Sequence, residues 1–171
     1  TDMAAGKMTV GLELYSYLRN KNVHVGFVAT GQVGITVTGA GIPLDAYKLD
    51  HACGAVESAV MDQADKDVVI VEGQGSILHP GSSATLPLMR GTCPTHMILC
   101  HIARNNSLRS LENIKIPDLK KFIDLNEQVA SVIGTYPKAK VIGVALNTIQ
   151  MESNEALEMI NKVEDNTGLP S

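Results

Sequence analysis

The residues best suited to chemistry open the chain. Thr1-Asp2-Met3-Ala4-Ala5-Gly6-Lys7-Met8-Thr9 carries a Gly-Lys pair that runs straight into a helical pattern. This resembles the end of a phosphate-binding loop, G-x-x-x-x-G-K-[ST]. In such a loop, backbone N–H groups at a helix N-terminus and a lysine ammonium face one anion. Asp2, Ala5, Gly6, Lys7, Met8 and Thr9 are therefore candidates to hold a phosphate or pyrophosphate. Two positions depart from the pattern. Thr1 stands at the first glycine. Met8 stands where a hydroxyl normally holds Mg²⁺, with Thr9 one residue later. A thioether is a poor ligand for an ion that prefers hard oxygens.

A second constellation is Val68-Val69-Ile70-Val71-Glu72-Gly73-Gln74-Gly75-Ser76, an apolar run ending in a carboxylate and a glycine-rich turn. In open α/β sheets, ligands lie beyond the carboxyl ends of strands. Glu72 is then placed to help hold a metal or to act as a general base, or it caps a neighbouring loop. His79, just past this turn, is the other candidate base. Phe27-Val28-Ala29-Thr30-Gly31-Gln32 is a further strand entering a polar turn. Asn147 closes Val144-Ala145-Leu146-Asn147, where an amide can pair with a base edge. Four element ends are thus expected to carry Lys7, Gln32, Glu72 and Asn147 to one sheet edge. Cys93, His96, Cys100 and His101 lack C-x-x-C spacing. Cys100 and His101 would also point to opposite faces of a strand, so zinc is not expected.

These groups need a scaffold. Apolar β-rich runs lie at 23–29, 67–72, 95–101 and 140–146. Three of them are nearly continuous, the pattern of strands buried on both faces of a parallel sheet. Helical patterns lie between them. In Lys7–Asn20 the expected apolar face is Val10, Leu14, Tyr17 and Leu18. Further helices are expected over 51–64 (N-cap Asp50), 118–133 (Pro117 at its start) and 154–166 (Gly168 as its stop). Residues 30–43, rich in Gly and Thr, read as loop. Residues 79–95 read as loop with at most a short helix. The alternation predicts an α/β fold with a three-layer, mostly parallel sheet.

The chain has 171 residues and a formal charge of −4, with only 4% aromatic residues and no Trp. That disfavours duplex binding and base-stacking platforms. No apolar run approaches the roughly 18 residues of a membrane span. Three widely placed cysteines suit reduced thiols in the cytoplasm. The chain begins at the loop itself, so it is expected to be one P-loop domain, 1–171, of a longer polypeptide.

The motifs T-D-x-x-x-G-K, F-V-A-T-G, V-E-G-x-G and A-L-N resemble the dethiobiotin synthetase branch of P-loop proteins. The fuller set GKMT, FVATGQ-G, D-x-x-x-GA-x-E, VEGQGS-x-x-HP, LCH and GxALNT is similar, over essentially the whole chain, to a family long known only as a domain of unknown function. That family includes D-glutamate N-acetyltransferases. The resemblance implies a P-loop NTPase-like fold of the dethiobiotin synthetase type and an N-terminal Rossmann-like domain that precedes this one and is absent here with the first strand. It further implies acetyl transfer from acetyl-CoA to an amino acid amine, with D-glutamate as the expected acceptor.

On this expectation Gly6, Lys7 and Thr9 bind CoA phosphates, and Gly73, Gly75 and Asn147 complete the cofactor site. Gln32, Glu72, Gln74 and Ser76 line the acyl and amine site, with Glu72 as general base and His79 as its alternative. Dethiobiotin synthetases carry a lysine in the second strand where this chain has Gly26. That loss and Met8 both argue against phosphoryl transfer from Mg-ATP. Were the enzyme instead an ATP- and Mg-dependent ligase or kinase, Thr9, Asp50 and Glu72 would form the metal shell. A non-catalytic nucleotide-binding module is the third possibility. A homo-oligomer with a small-molecule substrate, and neither nucleic acid nor membrane as partner, completes the expectation.

Overall fold

The computed structural model describes residues 1–171. The chain forms two compact units, Lys7–Thr92 and a second made of Thr1–Gly6 with Cys93–Ser171. Both are mixed α/β with parallel strand pairing, as the alternating pattern predicts.

In the first unit, α1 (Lys7–Asn20) leads to β1 (Val25–Val28), α2 (Gln32–Thr38), a 3-10 turn, α3 (Leu49–Met61), β2 (Val68–Val71) and α4 (Thr85–Thr92). Strands β1 and β2 pair in parallel, with Val25 opposite Val68 and Val28 opposite Val71. Their carboxyl ends therefore lie side by side. Of the expected face of α1, Val10, Leu14 and Leu18 are half-buried, and one residue departs from it. Tyr17 is exposed, whereas Tyr15 meets Phe27 edge-on with centroids 5.8 Å apart. A Cβ at Gly11 would lie 3.2 Å from the Phe27 ring, so glycine lets the helix settle on β1. Leu44, Ala52, Val56 and Leu88 form a core beneath α3 and α4. Each large apolar side chain buried this way contributes about 1.5–3 kcal/mol.

Helix α2 occupies a stretch expected to be loop. Its β-branched and glycine-rich composition hides the helix, which is held by local bonds. Gly31 is its N-cap, and Gly39 ends it in the left-handed region at φ 77°, its N–H donating to Ile35 O. Thr36 and Thr38 donate their hydroxyls to carbonyls one turn back. Helix α3 starts earlier than expected, with Lys48 as N-cap, so Asp50 is a residue of its first turn and not the cap. Helix α4 is the short helix allowed for in 79–95.

In the second unit, β3 (His96–Ile102) pairs in parallel with β6 (Lys140–Asn147). Between them lie the antiparallel pair β4 (Ser107–Leu108) and β5 (Leu111–Lys115), then α5 (Leu119–Ala130). The hairpin was not legible in a run with few apolar residues. Asp118 caps α5 by accepting the Lys121 N–H, so Pro117 lies just outside the helix. The stretch expected to continue α5 to 133 ends in a 3-10 turn, because Val132 and Ile133 both have positive φ. Helix α6 (Ser153–Thr167) starts with a Glu152/Glu155 capping box and stops at Gly168 in the left-handed region.

The parallel strands are divided into two-stranded sheets. Val68, Ile98 and Ile142 are exposed, so these strands are not buried on both faces along their whole length. No helix is long and apolar enough to cross a membrane.

Candidate functional site

The candidate site forms where β1 and β2 end together. Glu72 follows β2 directly and is only 6% exposed. Its N–H continues the parallel ladder to Val28 O at 3.0 Å. Its Oε2 accepts the backbone N–H groups of Thr30 at 3.0 Å and Gly31 at 3.2 Å. The Thr30 hydroxyl donates back to Glu72 O at 2.8 Å. The carboxylate thus straps the turn after β1 to the end of β2, at the head of α2. Gly34 accommodates it, because a Cβ there would overlap Oε2.

The glycines around Glu72 bring further groups in. A Cβ at Gly31 would lie 2.5 Å from Gln74 Nε2, so the Gln74 amide packs directly on Gly31. A Cβ at Gly73 would lie 3.1 Å from Lys7 Cδ, so the Lys7 stem lies across Gly73. Lys7, Gly31, Glu72, Gly73 and Gln74 therefore gather at one end of the β1–β2 pair. The first turn of α1 holds no acidic residue that would oppose an anion there. Thr9 in that turn is exposed and Met8 half-buried.

The loop after Gln74 is wired to itself. Thr85 donates its hydroxyl to Gln74 O, and Ser82 Oγ accepts the Ser76 N–H at 3.0 Å. Gly75 adopts φ 61° against Ser82 and Thr85. Ser76 is buried, its hydroxyl oxygen accepting the Leu78 N–H. His79 is half-buried, and its Nδ1 accepts the Gly81 N–H at 3.1 Å.

Other expected residues lie elsewhere. Gln32 is exposed, and its amide donates to Asp45 Oδ2 at 3.1 Å. Asp50 is exposed on α3, where it lines an open cleft of about 590 Å³ with Tyr47, His51, Ser58 and Asp62; neither Lys7 nor Glu72 borders it. Asn147 ends β6 opposite Ile102, in the other strand pair, and its Oδ1 accepts the Ile149 N–H. Of the four residues expected at one edge, Lys7 and Glu72 gather at the end of the β1–β2 pair, Gln32 turns its amide to Asp45, and Asn147 belongs to the second unit.

Asp2 is fully buried, with Oδ1 accepting the Met3 N–H and Oδ2 the Arg109 N–H, both at 2.7 Å. It ties the opening loop to the β4–β5 turn. Ala5 is buried, and Gly6 takes φ 99°, a conformation that favours glycine. His101 is buried in β3 with Nδ1 against the Thr1 hydroxyl at 2.9 Å. Burial pushes its pKa down to about 4. No group of three or more His, Cys, Asp or Glu side chains is arranged to hold a metal ion. Sequence reasoning missed Thr30, Gly34, Ser82 and Thr85 as supports of the site. Only Gly34, a glycine soon after the strand, offered a signal.

All 171 residues match the family model described as "Domain of unknown function (DUF1611_C) P-loop domain". The chain belongs to this family. A crystal structure of a DUF1611 family protein from Anabaena variabilis is 44% identical, with a TM-score of 0.96 over 99% of this chain and 50% of that one. The P-loop NTPase-like fold is thereby established. Two curated relatives are called D-glutamate N-acetyltransferase. The one from Pseudoalteromonas sp. is 32% identical over 99% of this chain, and the one from Tritonibacter scottomollicae is 33% identical over 100% of it. This DUF1611 chain spans about half the length of each, 51%.

Proposed function

We propose that this domain serves an acyl-CoA-dependent N-acyltransferase that acetylates the amine of an amino acid, D-glutamate being the first acceptor to test. The observation that carries the reading is the match of the whole chain to about half of each of two proteins called D-glutamate N-acetyltransferase. The geometry supports it. Lys7 lies across Gly73 at the head of a helix whose first turn lacks acidic residues, a fit for the pyrophosphate and ribose phosphate of CoA. In this reading the backbone N–H groups of Gly6 to Thr9 and the Lys7 ammonium take the phosphates.

Acetyl-CoA would supply the acyl group as a thioester. The amine nitrogen attacks its carbonyl carbon, an N–C bond forms, the C–S bond breaks and CoA leaves as the thiol. The amine must shed a proton, and His79 is a titratable side chain on the loop after β2, past the turn that the Glu72 carboxylate holds. Two features disfavour the alternative of Mg-ATP phosphoryl transfer. Met8 removes the usual Mg²⁺ hydroxyl. Gly26 stands in place of the synthetase lysine, with the Gln63 amide packed over it.

The test is CoA thiol release by the full-length protein with acetyl-CoA and D-glutamate in EDTA, with the N-acetyl product identified by mass. Lys7→Ala is expected to raise KM for acetyl-CoA by roughly 10- to 100-fold, the loss of about 1.5–3 kcal/mol of charge-assisted bonding. Turnover of Mg-ATP with no thiol release would overturn the reading.

A further inference from the structure

We infer that Glu72 is a positioning residue that locks the Thr30–Gly31 turn in place, and that it is not the proton acceptor. Its Oε2 is the common target of two backbone N–H groups at 3.0 and 3.2 Å. The Thr30 hydroxyl closes a return bond to Glu72 O, and the Glu72 N–H is spent on Val28 O. Backbone and side chain of one residue thus splice the ends of β1 and β2. The carboxylate is buried at 6% exposure and seated over Gly34, where any side chain would displace it. A group that must accept a proton, turn and release it is poorly served by an oxygen held by two fixed donors. Such an oxygen is well suited to hold a turn.

The turn matters because of what rests on it. Gln74 packs its amide on Gly31, and Gly73, next to Glu72, carries the Lys7 stem. Fixing Thr30 and Gly31 against β2 therefore fixes the surface on which Gln74 lies, beside Lys7. Loss of the strap would let the turn shift by a fraction of an ångström or more. A misplacement near 1 Å costs about 10²-fold in rate.

Glutamine separates the two roles. Its amide oxygen can accept both N–H groups, but it cannot act as a base at neutral pH. The activity readout rests on the acyl-transfer reading above. In the full-length protein, Glu72→Gln is expected to keep kcat within about threefold of wild type with an unshifted pH profile, while Glu72→Ala loses about 10²-fold. Gly34→Ala, which leaves the carboxylate in the chain but displaces it, is expected to fall with Glu72→Ala. A general base would behave in the opposite way. Glu72→Gln would then lose about 10²–10⁴-fold and its acid limb, overturning the inference.

A second readout does not need activity. Amide hydrogen exchange by NMR should show Thr30 and Gly31 protected in wild type and Glu72→Gln and fast-exchanging in Glu72→Ala. Fast exchange in wild type would overturn the inference even if the protein acetylates D-glutamate. Protection that is kept in Glu72→Gln and lost in Glu72→Ala would sustain it even if the protein transfers no acetyl group.

Discussion

At the scale of single residues, chemistry and architecture compete for the same polar groups. Asp2, expected among the phosphate ligands, spends both carboxylate oxygens on backbone N–H groups. A carboxylate would repel a phosphate, so its use as a strut is the physically sounder one. His101 shows the same trade. Its imidazole is kept neutral by burial, with its pKa lowered from 6.5 to about 4. The unfolded chain therefore binds more protons than the folded one between those values. The stability this group contributes is fully present above about pH 6.5 and is lost as pH falls towards 4. The shift amounts to at most about 3 kcal/mol. Denaturant unfolding of wild type and His101→Gln across pH 7 to 5 should show a smaller loss in the variant. Parallel curves would mean that the folded imidazole titrates freely.

At the scale of elements, much of the scaffold was legible because hydrophobic period survives translation into structure. Helix α1 matches its expected bounds, the four strands fall within a few residues of theirs, and Gly168 ends α6. Helix α2 was hidden because its β-branched and glycine-rich stretch shows no helical period and both its caps are glycines. Glu72 and Lys7 could be named from residue type and motif, whereas Thr30 and Gly34 matter through contact with Glu72, far along the chain, which local spacing does not report. Close helix packing was hidden too. Gly91 on α4 sits where a Cβ would overlap Cys53 O and lie 2.6 Å from Val56 Cβ, whereas Gly54 on α3 has nothing within 4 Å. Gly91→Ala should destabilise by about 1–3 kcal/mol through overpacking. Gly54→Ala should stabilise by about 0.5–1 kcal/mol by restricting the unfolded chain. Chemical denaturation of both variants checks the pair, and like signs would show that α3 and α4 pack otherwise.

At the scale of the whole molecule, the decisive question is what the loop at Lys7 receives. A P-loop fold is shared by proteins of many activities, so the fold alone does not choose between nucleotides. Met8 and the lack of a lysine at Gly26 favour an anion that needs no metal. The most direct measurement is the thermal stability of the full-length protein with acetyl-CoA, CoA, ATP or ADP, each with Mg²⁺ or with EDTA. A ligand at about 100 times its Kd, bound only by the folded state, adds about 2.7 kcal/mol, a shift of several degrees in Tm. Stabilisation by acetyl-CoA and CoA that persists in EDTA, and is lost in Lys7→Ala, is the expected result. Stabilisation by ATP alone, and only with Mg²⁺, would contradict it.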